Sequence, residues 1–179
     1  MRSVRFILIL SSLISFSFLT ETWYSLESPE FGFKVLFPKE PVAQNQVTPS
    51  AIGELKMNMY ILDVSADETE DNLLYLVNYT EYPDSLFANA PEEKFTKVLK
   101  GSVDGMVTNV GGKLLSEKVI TLNGSPGREV KVSFQEGAAI INARVYLVRN
   151  KMYLLETISY PQKDSNKSID KFFASFQLR

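Results

Sequence analysis

The sequence predicts an α+β domain: an α/β/α sandwich around a mostly antiparallel sheet of about seven strands, with two main helices. Three observations predict it. Segments of alternating apolar and polar residues recur along the chain, separated by short Gly-, Asn- and Pro-containing turns. Two of those segments are apolar on both faces, as central strands covered from both sides are. Two further stretches carry apolar residues at helical spacing, which supplies a helix for each face of the sheet.

The elements follow in order. Trp23 to Leu26 is the first ordered segment. Phe31, Phe33, Val35 and Phe37 share one face of the next strand, and Pro38 and Pro41 end it because proline gives the ladder no donor. Val42 to Val47 reads as a weaker strand, residues 49–53 as a turn, and Leu55, Met57, Met59 and Ile61 as one face of a long strand. Residues 67–72 are a polar loop. Leu73 to Tyr82 is apolar on both faces and central. Pro91 suits a first helical turn, Glu92 and Glu93 complement the helix dipole, and Phe95, Val98, Leu99, Val103, Met106, Val107 and Val110 fall on a helical stripe, so residues 92–109 are a helix. Gly111-Gly112 ends it.

Four strands come next: Lys113–Leu122, Arg128–Gln135, Ala138–Val148 and Met152–Tyr160. The breaks are Asn123-Gly124 with Pro126-Gly127, then Glu136-Gly137, then Arg149-Asn150-Lys151. These are hairpin signals, and the strands form an antiparallel meander. A short helix follows Pro161, capped by Asp164 or Ser165. Its Ile169, Phe172, Phe173 and Phe176 lie at i, i+3, i+4 and i+7, the stripe of a helix packed on a sheet.

The start of the chain reads as an export signal. Arg2 and Arg5 precede an apolar run, and Ser15-Phe16-Ser17 offers small residues to a signal peptidase, so cleavage is expected after Ser17. Phe6 to Leu19 would make only about 21 Å of helix against a hydrocarbon core of about 30 Å, which favours cleavage over a retained anchor. Residues 18–179 are then one domain, long enough for a core that needs no disulfide. The expected location is periplasmic or extracellular, with no membrane insertion once the leader is removed.

Composition narrows the chemistry. The chain has no histidine and no cysteine. Ser-His-Asp triads, histidine bases, thiol nucleophiles and thiolate zinc sites are therefore excluded, and so is a lipid-modified N-terminal cysteine. Net charge is −2 with signs intermixed, so no basic stripe invites nucleic acid. There is no P-loop and no GxGxxG. No catalytic residue, metal ligand or cofactor is assigned.

Several features remain to be placed. Residues 67–71 are acidic, but position 72 is Asn where a calcium loop starting at Asp67 needs glycine, and position 78 is Asn where it needs glutamate; a solvated loop is expected. Asn78, Asn123 and Asn166 begin glycosylation sequons that we discount: Asn78 is mid-strand and Pro126 disfavours the second. A carboxylate pair for hydrolysis and a serine–lysine pair stay open, with no spacing to support either. Arg144 and Glu156 interrupt apolar strands. A three-residue loop at 149–151 would set them opposite each other on one face, either as a ligand or partner contact or as a cross-strand ion pair.

The order of elements also resembles the PsbP-like superfamily (PsbP/DcrB-type small exported proteins). The residues that carry the resemblance are Phe33-Lys34-Val35-Leu36-Phe37-Pro38 with Pro41, the helix at 92–109, Leu122-Asn123-Gly124-Ser125-Pro126-Gly127-Arg128-Glu129 leading into the meander, and the terminal Phe172-Phe173-Ala174-Ser175-Phe176-Gln177-Leu178. The resemblance implies an α/β/α sandwich and a non-enzymatic binding or assembly protein. Metal binding through histidine, as in some members, does not transfer to a chain without one. The expected function is an exported, non-catalytic module whose partner is an envelope protein. A small apolar-ligand carrier and a carboxylate-based hydrolase are the alternatives.

Overall fold

The computed structural model describes residues 22–50 and 53–179. The expected signal peptide and its cleavage point lie outside the described residues. The strands are β1 (Tyr24–Ser28), β2 (Phe33–Phe37), β3 (Val42–Ser50), β4 (Gly53–Asp63), β5 (Asn72–Glu81), β6 (Lys113–Leu122), β7 (Ser125–Phe134), β8 (Ala139–Val148), β9 (Lys151–Ser159) and β10 (Gln177–Leu178). The helices are α1 (Glu92–Asn109) and α2 (Lys167–Ser175).

Seven strands form the main sheet in the order β3-β4-β5-β9-β8-β7-β6, and β1-β2-β10 form a small second sheet. Every pairing is antiparallel. The predicted central strands, β5 and β9, are neighbours in the middle of the sheet. Alternation then sorts their side chains into two cores. Tyr75, Val77, Tyr79, Tyr153 and Leu155 face one way and pack with Trp23, Phe33, Val35, Phe37, Phe172 and Phe176 from the small sheet and α2. On the other face, Ile141, Ala143, Val145 and Leu147 pack with Val130, Val132, Leu99 and Val103 of α1. The expected sandwich is observed, and the stripe of Ile169, Phe172, Phe173 and Phe176 is buried against the sheets.

Helix α1 spans the predicted residues and β6 the predicted strand. Strand β7 begins earlier than expected, at Ser125 rather than Arg128. The Asn123-Gly124 turn, with both residues at positive φ, joins β6 to β7 directly. Pro126 then pairs with Thr121 of β6 but precedes the first β8 partner, Gly127↔Tyr146, so no ladder bond on that side is lost. Gly127 is required there. A Cβ would lie 2.6 Å from Tyr146 Cδ1 and 2.7 Å from the Val145 carbonyl oxygen.

The cap of α2 is Asn166 rather than Asp164 or Ser165. Its Oδ1 accepts the Ile169 amide at 2.9 Å, while its Nδ2 donates to Asn72 Oδ1 at 3.0 Å. One carboxamide thus starts the helix and ties it to the first residue of β5, which is why the chain waits for position 166. The two-residue β10 was not foreseen. It pairs with β2 and closes the small sheet over the aromatic core.

Helix α1 packs on β7 and β8. It leaves the same face of β4 and β5 half-covered: Leu55, Met57, Met59 and Ile61 are only partly buried.

Candidate functional site

Arg144 and Glu156 are not brought together. The β8–β9 turn has two residues, Arg149 and Asn150, because Val148 pairs with Lys151. Asn150 fixes this register: it is buried, its Nδ2 donates to the Tyr82 carbonyl at 2.9 Å, and its own carbonyl accepts the Tyr82 amide at 2.8 Å. Arg144 therefore lies opposite Leu155 and Glu156 opposite Ala143, on different faces. A one-residue change in a hairpin loop exchanges faces along the whole strand.

Arg144 faces α2. Its Nε and Nη2 reach Glu129 Oε2 at 2.8 and 2.7 Å, and its guanidinium lies 4.9 Å from the centre of the Phe173 ring. The expected ion pair with Glu156 therefore does not form, and Arg144 pairs instead with Glu129, its cross-strand neighbour on β7. Lys118 approaches the other Glu129 oxygen at 3.6 Å, and Lys131 binds Asp164 at 2.8 Å. These residues line a shallow polar cavity of about 270 Å³ under the start of α2. Its cations and carboxylates already neutralise one another, so Arg144 braces α2 on the sheet.

Glu156 faces the α1 side and has no ion pair among the described residues. Leu76 and Ala143 flank it across the strands, and Leu154 and Ile158 precede and follow it on the same face. Burial among these apolar neighbours pushes its carboxyl up to about 7. A lone carboxyl poised near neutrality can hold or release a proton. Single carboxyls do not hydrolyse glycosides, which takes two flanking the bond, and no second acid is among its four sheet neighbours.

The acidic loop is tied down locally. Asp67 Oδ1 accepts from the Thr69 amide and hydroxyl at 3.0 and 2.6 Å, Asp67 pairs with Lys39, and Asp71 pairs with Lys163 at 2.7 Å. These hydrogen bonds hold the Asp67 carboxyl well below the usual carboxylate range. Among the described residues no group of three acidic side chains converges on a point that could hold a metal.

Two features escaped sequence reasoning. One is Asn78, set between Met59 of β4 and Leu154 of β9. It is 7% exposed, and its Oδ1 has no hydrogen-bond partner among the described residues. Its signal was in the sequence: it is the polar interruption of the Leu74, Leu76 face. Its burial also agrees with discounting its sequon. The other is the outer edge of β3. Among the described residues no strand pairs with it, and residues 42–47 are all exposed. Its nine residues carry no charge, and its register with β4 runs unbroken. The opposite edge, β6, carries Lys113, Glu117 and Lys118 and has a register shift between Leu114 and Ser116.

Two layers around a seven-stranded antiparallel sheet, with a small aromatic-rich sheet beside α2, define the class: the chain has the PsbP-like fold. It is similar to the solution structure of cyanobacterial PsbP (CyanoP) from Synechocystis, with a TM-score of 0.59 over 95% of this chain and 99% of that one, at 14% identity. A Pseudomonas aeruginosa protein of unknown function aligns at a TM-score of 0.38 and 13% identity, over 79% of this chain and 85% of that one. No family model matches the sequence, and comparison with curated proteins gives no match. The likeness is one of fold.

Proposed function

We propose that this chain is an exported, non-catalytic binding or assembly module of the cell envelope, and that it docks by accepting a strand from an envelope protein at the outer edge of β3. The edge carries this reading. An exposed strand presents unpaired amides and carbonyls to any extended segment, and proteins blunt such edges with charge, bulges or cover. Edge β6 has charges and a register shift; β3 has neither, and its one proline, Pro49, lies near the end of the strand, beyond the exposed run 42–47. Strand addition then gains main-chain hydrogen bonds without a deep pocket. Val42 and Val47, 63% and 57% exposed on opposite faces of the strand, offer apolar contacts on both sides.

The leader supports export, and the PsbP-like fold supports a non-enzymatic role. The side-chain chemistry agrees, since the ionisable clusters under α2 and in the acidic loop are spent on internal pairs. The test compares the wild-type chain with the Gln44→Lys, Gln46→Lys double variant as bait for envelope extracts. Both substitutions fall on exposed side chains, so the melting temperature should not move. The wild type should capture one reproducible protein that the variant loses. Equal capture by both, or none by the wild type, overturns the reading.

A further inference from the structure

A second surface stands apart from the β3 edge. Between α1 and the half-covered part of the main sheet runs a groove of about 560 Å³. Leu55, Met57, Met152 and Leu154 form its sheet wall, with Met106 and Val110 on the helix side. Among the described residues that line it none is charged, in a chain where 22% of residues are. Three of the five methionines line it, and methionine adapts its shape to what it touches. Gly101 and Gly105 also line it, and a Cβ on either would meet nothing within 4 Å. Glycine weakens a helix interior, yet here it keeps space open.

The polar groups in the groove are under-used. Asn78 Oδ1 is buried in the floor without a donor, an arrangement that native interiors avoid unless something fills it. The two other orphaned oxygens among the described residues, the hydroxyls of Thr157 and Ser159, do not line the groove. The hydroxyls of Tyr82 and Ser102 both turn to Met152 Sδ, at 3.6 and 3.4 Å. A thioether is a weak acceptor, so both donors are easily redirected.

We propose that this groove binds a small uncharged amphiphile, with its apolar body along Met57, Met106 and Met152 and a hydroxyl or amide N–H donating to Asn78 Oδ1. An ion would find no countercharge in the lining to replace its water. The inference is independent of strand docking at β3 and survives its failure.

Fluorescence titration with N-phenyl-naphthylamine, an uncharged apolar probe with a single N–H, tests it. The wild type should bind the probe saturably. Gly101→Leu fills open space and favours the helix, so it should fold with an unchanged or higher melting temperature and bind at least about tenfold more weakly. Asn78→Leu should weaken the probe about fivefold, the value of one hydrogen bond, and leave its N-methyl derivative unaffected. No saturable binding by the wild type, undiminished binding by folded Gly101→Leu, or equal loss of both probes in Asn78→Leu overturns the proposal.

Discussion

Glu156 makes stability depend on pH in the direction opposite to most carboxylates. Its folded value is about 7 against an ordinary 4.5, because burial disfavours the charged form. Between those values the folded chain keeps a proton that the unfolded chain has lost. Its contribution is therefore fully present below about 4.5 and is lost as pH rises through about 7. At about 1.4 kcal/mol per unit the full shift is worth at most about 3–4 kcal/mol, and because the side chain keeps some contact with water we expect about 1–3 kcal/mol. Glu156→Gln is neutral at every pH and keeps the shape. At pH 8 it should melt about 2–12 °C above the wild type, taking about 2–4 °C per kcal/mol for a domain of this size. At pH 4 the two should melt together. Thermal unfolding followed by circular dichroism at both values decides it. An equal gap at both, or none at pH 8, would mean that the carboxylate is hydrated and the burial argument is wrong.

Other substitutions probe the braces of the fold. Asn166→Ala removes the α2 cap and strands Asn72 Oδ1, and should lower stability by about 1–3 kcal/mol in denaturant titrations. Gly127→Ala drives a Cβ into Tyr146 and the Val145 carbonyl, and should cost about 1–3 kcal/mol by the same assay. Arg144→Met removes a part-exposed ion pair with Glu129 but keeps an apolar contact on Phe173, so it should change stability by no more than about 1 kcal/mol, with a difference that shrinks in high salt.

Periodicity made the elements legible. The stripe from Phe95 to Val110 fixed α1, and the doubly apolar residues 73–82 and 152–158 placed β5 and β9 at the centre of the sheet. Pairing across long distances was not legible. Nothing near residues 149–151 says that Asn150 will be held by Tyr82, yet that contact removes one residue from the turn and sends Arg144 and Glu156 to opposite faces. The cap at Asn166 was hidden for the same reason, since its partner Asn72 lies far away in sequence. Asn78 was visible as a polar break, but its lack of a partner depends on α1 covering β7 and β8 rather than β4. The bare edge of β3 required knowing which strand is outermost.

The proposed function rests on strand docking at β3. Its most direct test places a photoreactive amino acid at Asn45, in the middle of the exposed edge, and irradiates living cells. One crosslinked product is expected, which contains this chain and a distinct envelope protein and disappears when Gln44→Lys and Gln46→Lys are added. No product, or a product made only of two copies of this chain, would contradict it.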